Sequence, residues 1–193
     1  MTPAVLFGAC WGVWALSWAA AARWSSAPVL RPERGRTRVA LAHTLLVLGI
    51  LLTIPRASAG LPAARLWDVG RSGAIALALL TIPGFAFTWW ARVHLGRLWS
   101  SAVTVKEAHR VIDTGPYALV RHPIYTGLLE AALASAVATG TAVSVAGFGL
   151  VALGIWLKAR LEERLLGSAL GPGAYRAYRR RVPMFLPRWR GPA

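Results

Sequence analysis

The chain has 193 residues, of which 56% are hydrophobic and 15% are charged, and its formal net charge is +15 at pH 7. A soluble domain has about 45–50% apolar and about 25% charged residues, so this composition argues against an ordinary soluble protein. The apolar residues form long runs, and a helix needs about 20 of them to cross a bilayer. The sequence therefore indicates an integral membrane protein with the lipid bilayer as its partner.

The first three apolar runs contain no Asp, Glu, Lys or Arg. They cover residues 3–22, 39–55 and 72–91, and each is long enough for one span. A secretory signal begins with basic residues, and none precedes the first run. We therefore predict that the first run is an uncleaved helix with its N-terminus outside.

The fourth run, residues 123–157, is long enough for two spans and contains one charged residue, Glu130. Thr139-Gly140-Thr141 interrupts it, and glycine allows the backbone angles of a tight turn. We predict a short helical hairpin with arms at 124–138 and 142–157. Small residues on these arms would let helix backbones approach closely: Ala131, Ala132, Ala134, Ala136, Ala138, Gly147 and Gly149.

The basic residues favour this hairpin. If 123–157 crosses twice, segments 23–38, 92–122 and 158–193 share one side and hold nineteen of the 22 basic residues. A single crossing would divide them almost evenly, against the positive-inside rule. We predict five transmembrane helices in an all-α bundle, located in the inner or plasma membrane of a prokaryote. The basic loops account for the net charge, so no nucleic-acid partner is expected.

A polar, turn-rich segment precedes the fourth run. Pro123 disfavours helical angles at His122 and suits the first turn of a helix, so we expect a helix to begin at Pro123. A helix N-terminus attracts anionic groups, and Arg121 and His122 would stand beside it. Alternatively, Arg121 extends to the membrane surface while Tyr117 and Tyr125 belong to an aromatic belt.

Two of the seven acidic residues, Glu162 and Glu163, follow the fifth predicted span directly. Carboxylates are costly at a membrane helix end unless they are paired or hydrated. If the helix continues, Lys158 lies one turn before Glu162 on the same face, and a surface ion pair is one explanation. The other is a site, because the hairpin returns the acidic pair to the side that holds Tyr117 and His122.

The remaining polar features have simpler interpretations. Tyr175 and Tyr178 lie in a basic, amphipathic segment that we predict to be a cytoplasmic C-terminal helix, with the tyrosines as headgroup anchors. Cys10 and the four histidines show no spacing typical of metal ligands, so no metal is expected. His43 is interpreted as a packed interior histidine.

Two motifs resemble a known family. Residues 109–127, HRVIDTGPYALVRHPIYTG, resemble the first signature of the isoprenylcysteine carboxyl methyltransferase family, whose wider group includes membrane phospholipid methyltransferases. Glu162-Glu163, with Tyr175, Tyr178 and Arg181-Val182-Pro183, is similar to the second. The resemblance implies that S-adenosylmethionine is the methyl donor, bound in a cytoplasmic-side cavity of the bundle.

The resemblance also implies site residues. Those expected to bind the cofactor are His109, Arg110, Val111, Ile112, Tyr117, His122, Pro123, Ile124, Tyr125 and Glu162. Lys158 occupies the position at which the eukaryotic enzyme has an arginine that binds the substrate carboxylate. Lysine keeps the positive charge but cannot form the two parallel hydrogen bonds that an arginine makes to a carboxylate. Arg121 is the second substrate-binding candidate. The catalytic candidates are His122, Tyr125 and Glu163.

A charge argument assigns roles within this set. We expect Glu162 to receive the cofactor ammonium, and His122 with the helix start at Pro123 to receive its carboxylate. Tyr117 and Tyr125 would pack the adenosine or sulfonium region, since a cation is favoured over an aromatic face. A carboxylate acceptor needs no base, whereas an amine acceptor would need one, and then His122 or Glu163 is the candidate.

Three functions stay open at this point. The first is methylation of a carboxylate oxygen on a lipophilic small molecule or a lipidated substrate such as an isoprenylcysteine. The second is N-methylation of an aminophospholipid, and the third is a non-catalytic membrane scaffold with the same fold. We predict that residues 1–193 form one membrane domain, with 1–91 as a three-helix scaffold and 92–187 as the methyltransferase core that holds the cofactor site.

Overall fold

The computed structural model describes residues 2–24, 36–54, 64–96, 99, 111–169 and 173–188. Within these ranges the chain forms seven α-helices: α1 (Pro3–Ala21), α2 (Arg36–Thr53), α3 (Gly70–Leu95), α4 (Pro116–Leu119), α5 (Pro123–Thr139), α6 (Ala142–Ala169) and α7 (Ala174–Arg181). A 3-10 turn at Ala22–Trp24 follows α1. The predicted all-α class is confirmed for the described part of the chain.

Three helices, α1, α3 and α6, are long and apolar enough to cross a membrane. The apolar part of α2, Thr37–Thr53, is shorter than these three, and α5 has 17 residues. The apolar helices support an integral membrane protein. The count of five spans, the orientation and the cytoplasmic position of α7 stay predictions.

The predicted break between α5 and α6 is confirmed. Gly140 ends α5 with φ 65°, a left-handed conformation that glycine adopts without a steric penalty. Helix α6 begins two residues later and has 28 residues, which is about 42 Å at 1.5 Å per residue. Because α6 exceeds a hydrocarbon core of about 30 Å, its last turns can place polar residues beyond the apolar layer.

Glycines allow two close helix pairings, of α2 with α6 and of α3 with α5. A β-carbon added at Gly147 would lie 2.9 Å from the carbonyl oxygen of Gly49, and one at Gly127 would overlap the carbonyl oxygen of Gly84. The role predicted for Gly147 is therefore confirmed. The role predicted for Gly149 is wrong, because a β-carbon there meets nothing within 4 Å among the described residues.

Arg92 is the first residue of the basic segment 92–122, which the charge count assigned to one side of the membrane, but the structure includes Arg92 in α3. The side chain is buried near the end of α3, where it donates to the carbonyl oxygens of Ala21 at 2.7 Å and Gly96 at 3.0 Å. Its guanidinium carbon lies 3.9 Å from the ring centroid of Trp99. Arg92 therefore satisfies carbonyl groups at the ends of α1 and α3, where a positive charge is favoured.

Glu130 of α5 is half-buried, and its carboxyl oxygens are buried against Gly84 of α3, where a β-carbon would lie 3.0 Å from the carboxyl carbon of Glu130. Neither carboxyl oxygen has a hydrogen-bond partner among the described residues. The carboxyl group occupies space that only a glycine leaves open. The α3–α5 pairing therefore depends on Gly84 as well as on Gly127.

We predict opposite outcomes for the same substitution at two glycines. Gly127→Ala forces α3 away from α5, because the new methyl group meets a backbone carbonyl, and overpacking of this kind costs roughly 1–3 kcal/mol. Gly149→Ala adds a methyl group in open space and improves helix propensity. Thermal unfolding in detergent would show a lower midpoint for Gly127→Ala and an unchanged or higher one for Gly149→Ala. Equal midpoints would contradict the packing described.

Candidate active site

The site is built around the corner at which the chain enters α5. His122 has φ −126° and ψ 63°, and Pro123 is the first residue of α5, as the sequence predicted. The backbone N–H groups of Arg121 and His122 donate to the carbonyl oxygens of Pro183 at 2.8 Å and Met184 at 3.1 Å. The segment that follows α7 therefore lies across the corner and fixes its backbone.

Glu163 lies at the centre of an ionic cluster, and its side chain is 3% exposed. Its Oε1 accepts from Arg121 Nε at 2.7 Å and lies 3.3 Å from His122 Nε2. Its Oε2 lies 3.2 Å from Arg179 Nε. One carboxylate thus joins α6, the corner before α5, and α7.

Arg121 completes this connection. Its Nη1 donates to the carbonyl oxygens of Val182 at 2.5 Å and Arg179 at 3.2 Å. The guanidinium group therefore contacts both a buried carboxylate and the last turn of α7. Charge-assisted hydrogen bonds of this kind are stronger than neutral ones, so α7 and the segment after it are held firmly against the corner.

Glu162 occupies a different position from its neighbour, and its side chain is 22% exposed. Tyr125 donates its hydroxyl hydrogen to Glu162 Oε1 at 2.5 Å. His122 Nδ1 lies 3.7 Å from Glu162 Oε2, and the rings of His122 and Tyr125 stack with centroids 5.4 Å apart. A partly exposed carboxylate therefore stands beside two stacked aromatic rings.

Tyr117 is buried next to this group. Its hydroxyl lies 3.5 Å from the carbonyl oxygen of Ala91, and its own carbonyl oxygen accepts from Tyr178 at 2.8 Å. Burial raises the pKa of the Tyr117 hydroxyl well above its usual value, and the negative charge of Glu162 raises the pKa further. Tyr117 thus stays neutral at physiological pH and contributes a ring, not a charge.

Lys158 lies one turn before Glu162 in α6, with its ammonium nitrogen 3.2 Å from His43 Nε2 of α2. The same nitrogen is 5.7 Å from the centroid of the Tyr125 ring. The lysine is buried, so its charge lies inside the bundle and not in a surface ion pair. His43 is partly buried, and it contacts a predicted site residue.

The other predicted cofactor residues are distributed differently. His109 and Arg110 lie outside the described residues. Val111 is half-buried against Tyr175, Tyr178 and Val182, and Ile112 is half-buried. Pro123 is fully buried, and Ile124 packs against the main core. The structure brings together Arg121, His122, Tyr125, Lys158, Glu162 and Glu163.

The interpretation of Tyr175 and Tyr178 as headgroup anchors is wrong. Both side chains are buried, and they pack with Val182 against Val111 and Leu166. Sequence reasoning also missed Arg179 as a partner of Glu163. The spacing within α7 indicates this position, because Arg179 lies four residues after the buried Tyr175 and therefore on the face of α7 that packs against the protein.

The helices and the site define a class: a helical membrane protein in which α5 and α6 form a hairpin. Near its C-terminal end, α6 joins the residues before α5 in an ionic cluster. Residues 76–168 match the model of the isoprenylcysteine carboxyl methyltransferase (ICMT) family. The part of the chain that holds the acidic pair and the His122 corner is thus ICMT-like. The resemblance inferred from the two motifs is confirmed over these residues.

Two curated relatives match about half of the chain. It is 37% identical over 103 residues to "Protein-S-isoprenylcysteine O-methyltransferase" of Schizosaccharomyces pombe, which is 50% of this chain and 42% of that protein. It is 33% identical over 99 residues to "Cobalt-zinc-cadmium resistance protein CzcN" of Cupriavidus metallidurans, which is 49% of this chain and 44% of that protein. The matches therefore span less than half the length of both relatives.

We predict that Glu163→Gln loosens α7. Removing one partner of a buried ion pair costs about 3–5 kcal/mol, because Arg121 is left uncompensated. Limited trypsin digestion should then cleave faster after the arginines of α7 than in the unmodified protein.

Asp113→Asn is the matched control for this prediction. It removes an exposed pair with Arg181, 2.9 Å apart, and exposed pairs contribute about 0–1 kcal/mol. Cleavage of Asp113→Asn should stay close to that of the unmodified protein. Equal protection in both variants would show that Glu163 does not hold α7.

Proposed function

We propose that this chain is a membrane methyltransferase that uses S-adenosylmethionine to methylate a carboxylate oxygen of a lipophilic or lipidated acceptor. The family match over residues 76–168 supports the class of reaction. One observation carries the proposal: the partly exposed Glu162 carboxylate is held by Tyr125 beside the stacked ring of His122. We further propose a single membrane domain whose active site opens on the cytoplasmic side.

The residues present fit the cationic groups of this cofactor. Glu162 offers an anionic acceptor for an ammonium group, and Tyr125 offers a ring face that favours a sulfonium. His122 faces two carboxylates, at 3.3 Å and 3.7 Å, which disfavours a third anion next to its ring. We therefore propose that the cofactor carboxylate meets the N-terminus of α5 at Pro123, and that His122 positions Glu162.

S-adenosylmethionine supplies an electrophilic methyl group when it is bound. The chain contributes alignment, because a displacement at the methyl carbon requires the acceptor in line with the bond that breaks. A carboxylate acceptor carries its own lone pair and charge, so no general base is required. Both oxygens of Glu163 are engaged by cationic side chains, and we assign it to positioning and not to proton transfer.

Lys158 is the proposed partner of the acceptor carboxylate. Its ammonium lies near Tyr125 and one helical turn from Glu162, so an anion bound there would lie close to the methyl donor. A buried cation favours an anionic acceptor over a protonated amine. This observation favours O-methylation over the N-methylation of an aminophospholipid.

We expect Glu162→Gln to weaken S-adenosylmethionine binding at least tenfold, measured by calorimetry in detergent, since the amide keeps the size but not the charge. Asp68→Asn is the control, because Asp68 is an exposed carboxylate paired with Arg65 away from the site. Undiminished affinity in Glu162→Gln would refute the assignment. A complete lack of binding by the unmodified protein would favour the non-catalytic scaffold.

A second measurement distinguishes the acceptors. Prenylcysteine, a fatty acid and phosphatidylethanolamine are offered with cofactor labelled in the methyl group. We expect label in a base-labile methyl ester of a carboxylate acceptor, and a lower but measurable yield of that product in Lys158→Met. Label in a base-stable N-methyl product would establish the aminophospholipid alternative instead.

A further inference from the structure

His43 has a defined orientation in α2. Its Nδ1 lies 2.8 Å from the carbonyl oxygen of Val39, one turn earlier in the same helix. A carbonyl oxygen can only accept, so Nδ1 carries the proton and Nε2 presents a lone pair. That lone pair faces the ammonium of Lys158 at 3.2 Å. His43 is therefore oriented to accept a hydrogen bond from the buried Lys158 ammonium.

The contact follows from the packing of α2 against α6. A β-carbon added at Gly154 would lie 2.8 Å from the carbonyl oxygen of Ala42. Gly154 precedes Lys158 by one turn, and Ala42 precedes His43 by one residue. The close approach of the two backbones at this glycine sets the register that brings His43 opposite Lys158.

The imidazole contact has a specific electrostatic consequence, because a lone pair orients the ammonium without adding a charge of its own. Glu162, one turn further along α6, accepts the hydroxyl hydrogen of Tyr125. The arrangement thus holds a cation between the ring of Tyr125 and an imidazole, inside a bundle where charge is poorly solvated.

We propose that His43 is a positioning residue that aims the Lys158 ammonium at an anionic group of the methyl acceptor, and so restricts the acceptor to carboxylates and related anions. This inference rests on the proposed function. It assigns a role in substrate specificity to α2, which lies outside the family match at residues 76–168.

Kinetics with a carboxylate acceptor in detergent test this role. His43→Leu removes the acceptor of the Lys158 hydrogen bond, and we expect KM for the carboxylate to rise about ten- to a hundredfold, the effect of one hydrogen bond to a charged group. His43→Gln restores an acceptor at the end of a side chain and should recover most of the loss. Thr44→Leu, an exposed position next to His43, should behave like the unmodified protein.

A double-mutant cycle with Lys158→Met separates positioning from a general structural effect. If His43 acts through Lys158, His43→Leu changes KM little in the Lys158→Met background, because the effects of coupled residues are not additive. Additive effects, or an unchanged KM in His43→Leu alone, would overturn the inference. Cofactor affinity measured by calorimetry should be unaffected by His43→Leu. Failure of the proposed function would instead appear as absent cofactor binding or turnover in the unmodified protein.

Discussion

The whole arrangement depends on the buried carboxylate of Glu163. Two arginines and one histidine converge on it from two parts of the chain: Arg121 and His122 before α5, and Arg179 in α7. A carboxylate this deeply buried is tolerated only when it is paired and hydrogen-bonded. The contacts that pair the Glu163 carboxylate therefore also hold three parts of the chain together: the His122 corner, the last turn of α7 and the part of α6 that carries Glu163.

Glycine contacts determine where this cluster can form. The turn at Gly140 reverses the chain, and the approaches at Gly127 and Gly154 place α5 against α3 and α6 against α2. Without a hydrophobic force between helices in lipid, close backbone packing of this kind is what holds them together. The polar site is thus positioned by apolar contacts that lie several turns away from it.

Hydropathy, charge and turn chemistry predicted much of this fold. The helix start at Pro123, the break at Gly140 and the return of Glu162 toward His122 are local or topological consequences of the sequence. The contact between His43 and Lys158 was not predictable. The two residues are 115 positions apart in the chain, and their contact depends on how α2 and α6 are aligned along each other. The prediction for Gly149 failed for a related reason. Small residues indicate that a helix can pack closely, but they do not show which of its faces contacts a neighbouring helix.

The adjacent glutamates of α6 differ in their burial and in their neighbours. Successive residues on an α-helix lie about 100° apart around the axis, so Glu162 and Glu163 cannot face the same neighbours. Glu163 faces the arginines that anchor α7, and Glu162 shares its face with Lys158, toward Tyr125. Because His122 lies between both carboxylates, any shift of the anchored cluster would also displace the partly exposed one. The buried member thus fixes the position of the partly exposed member, to which we assign the cofactor cation in our proposal.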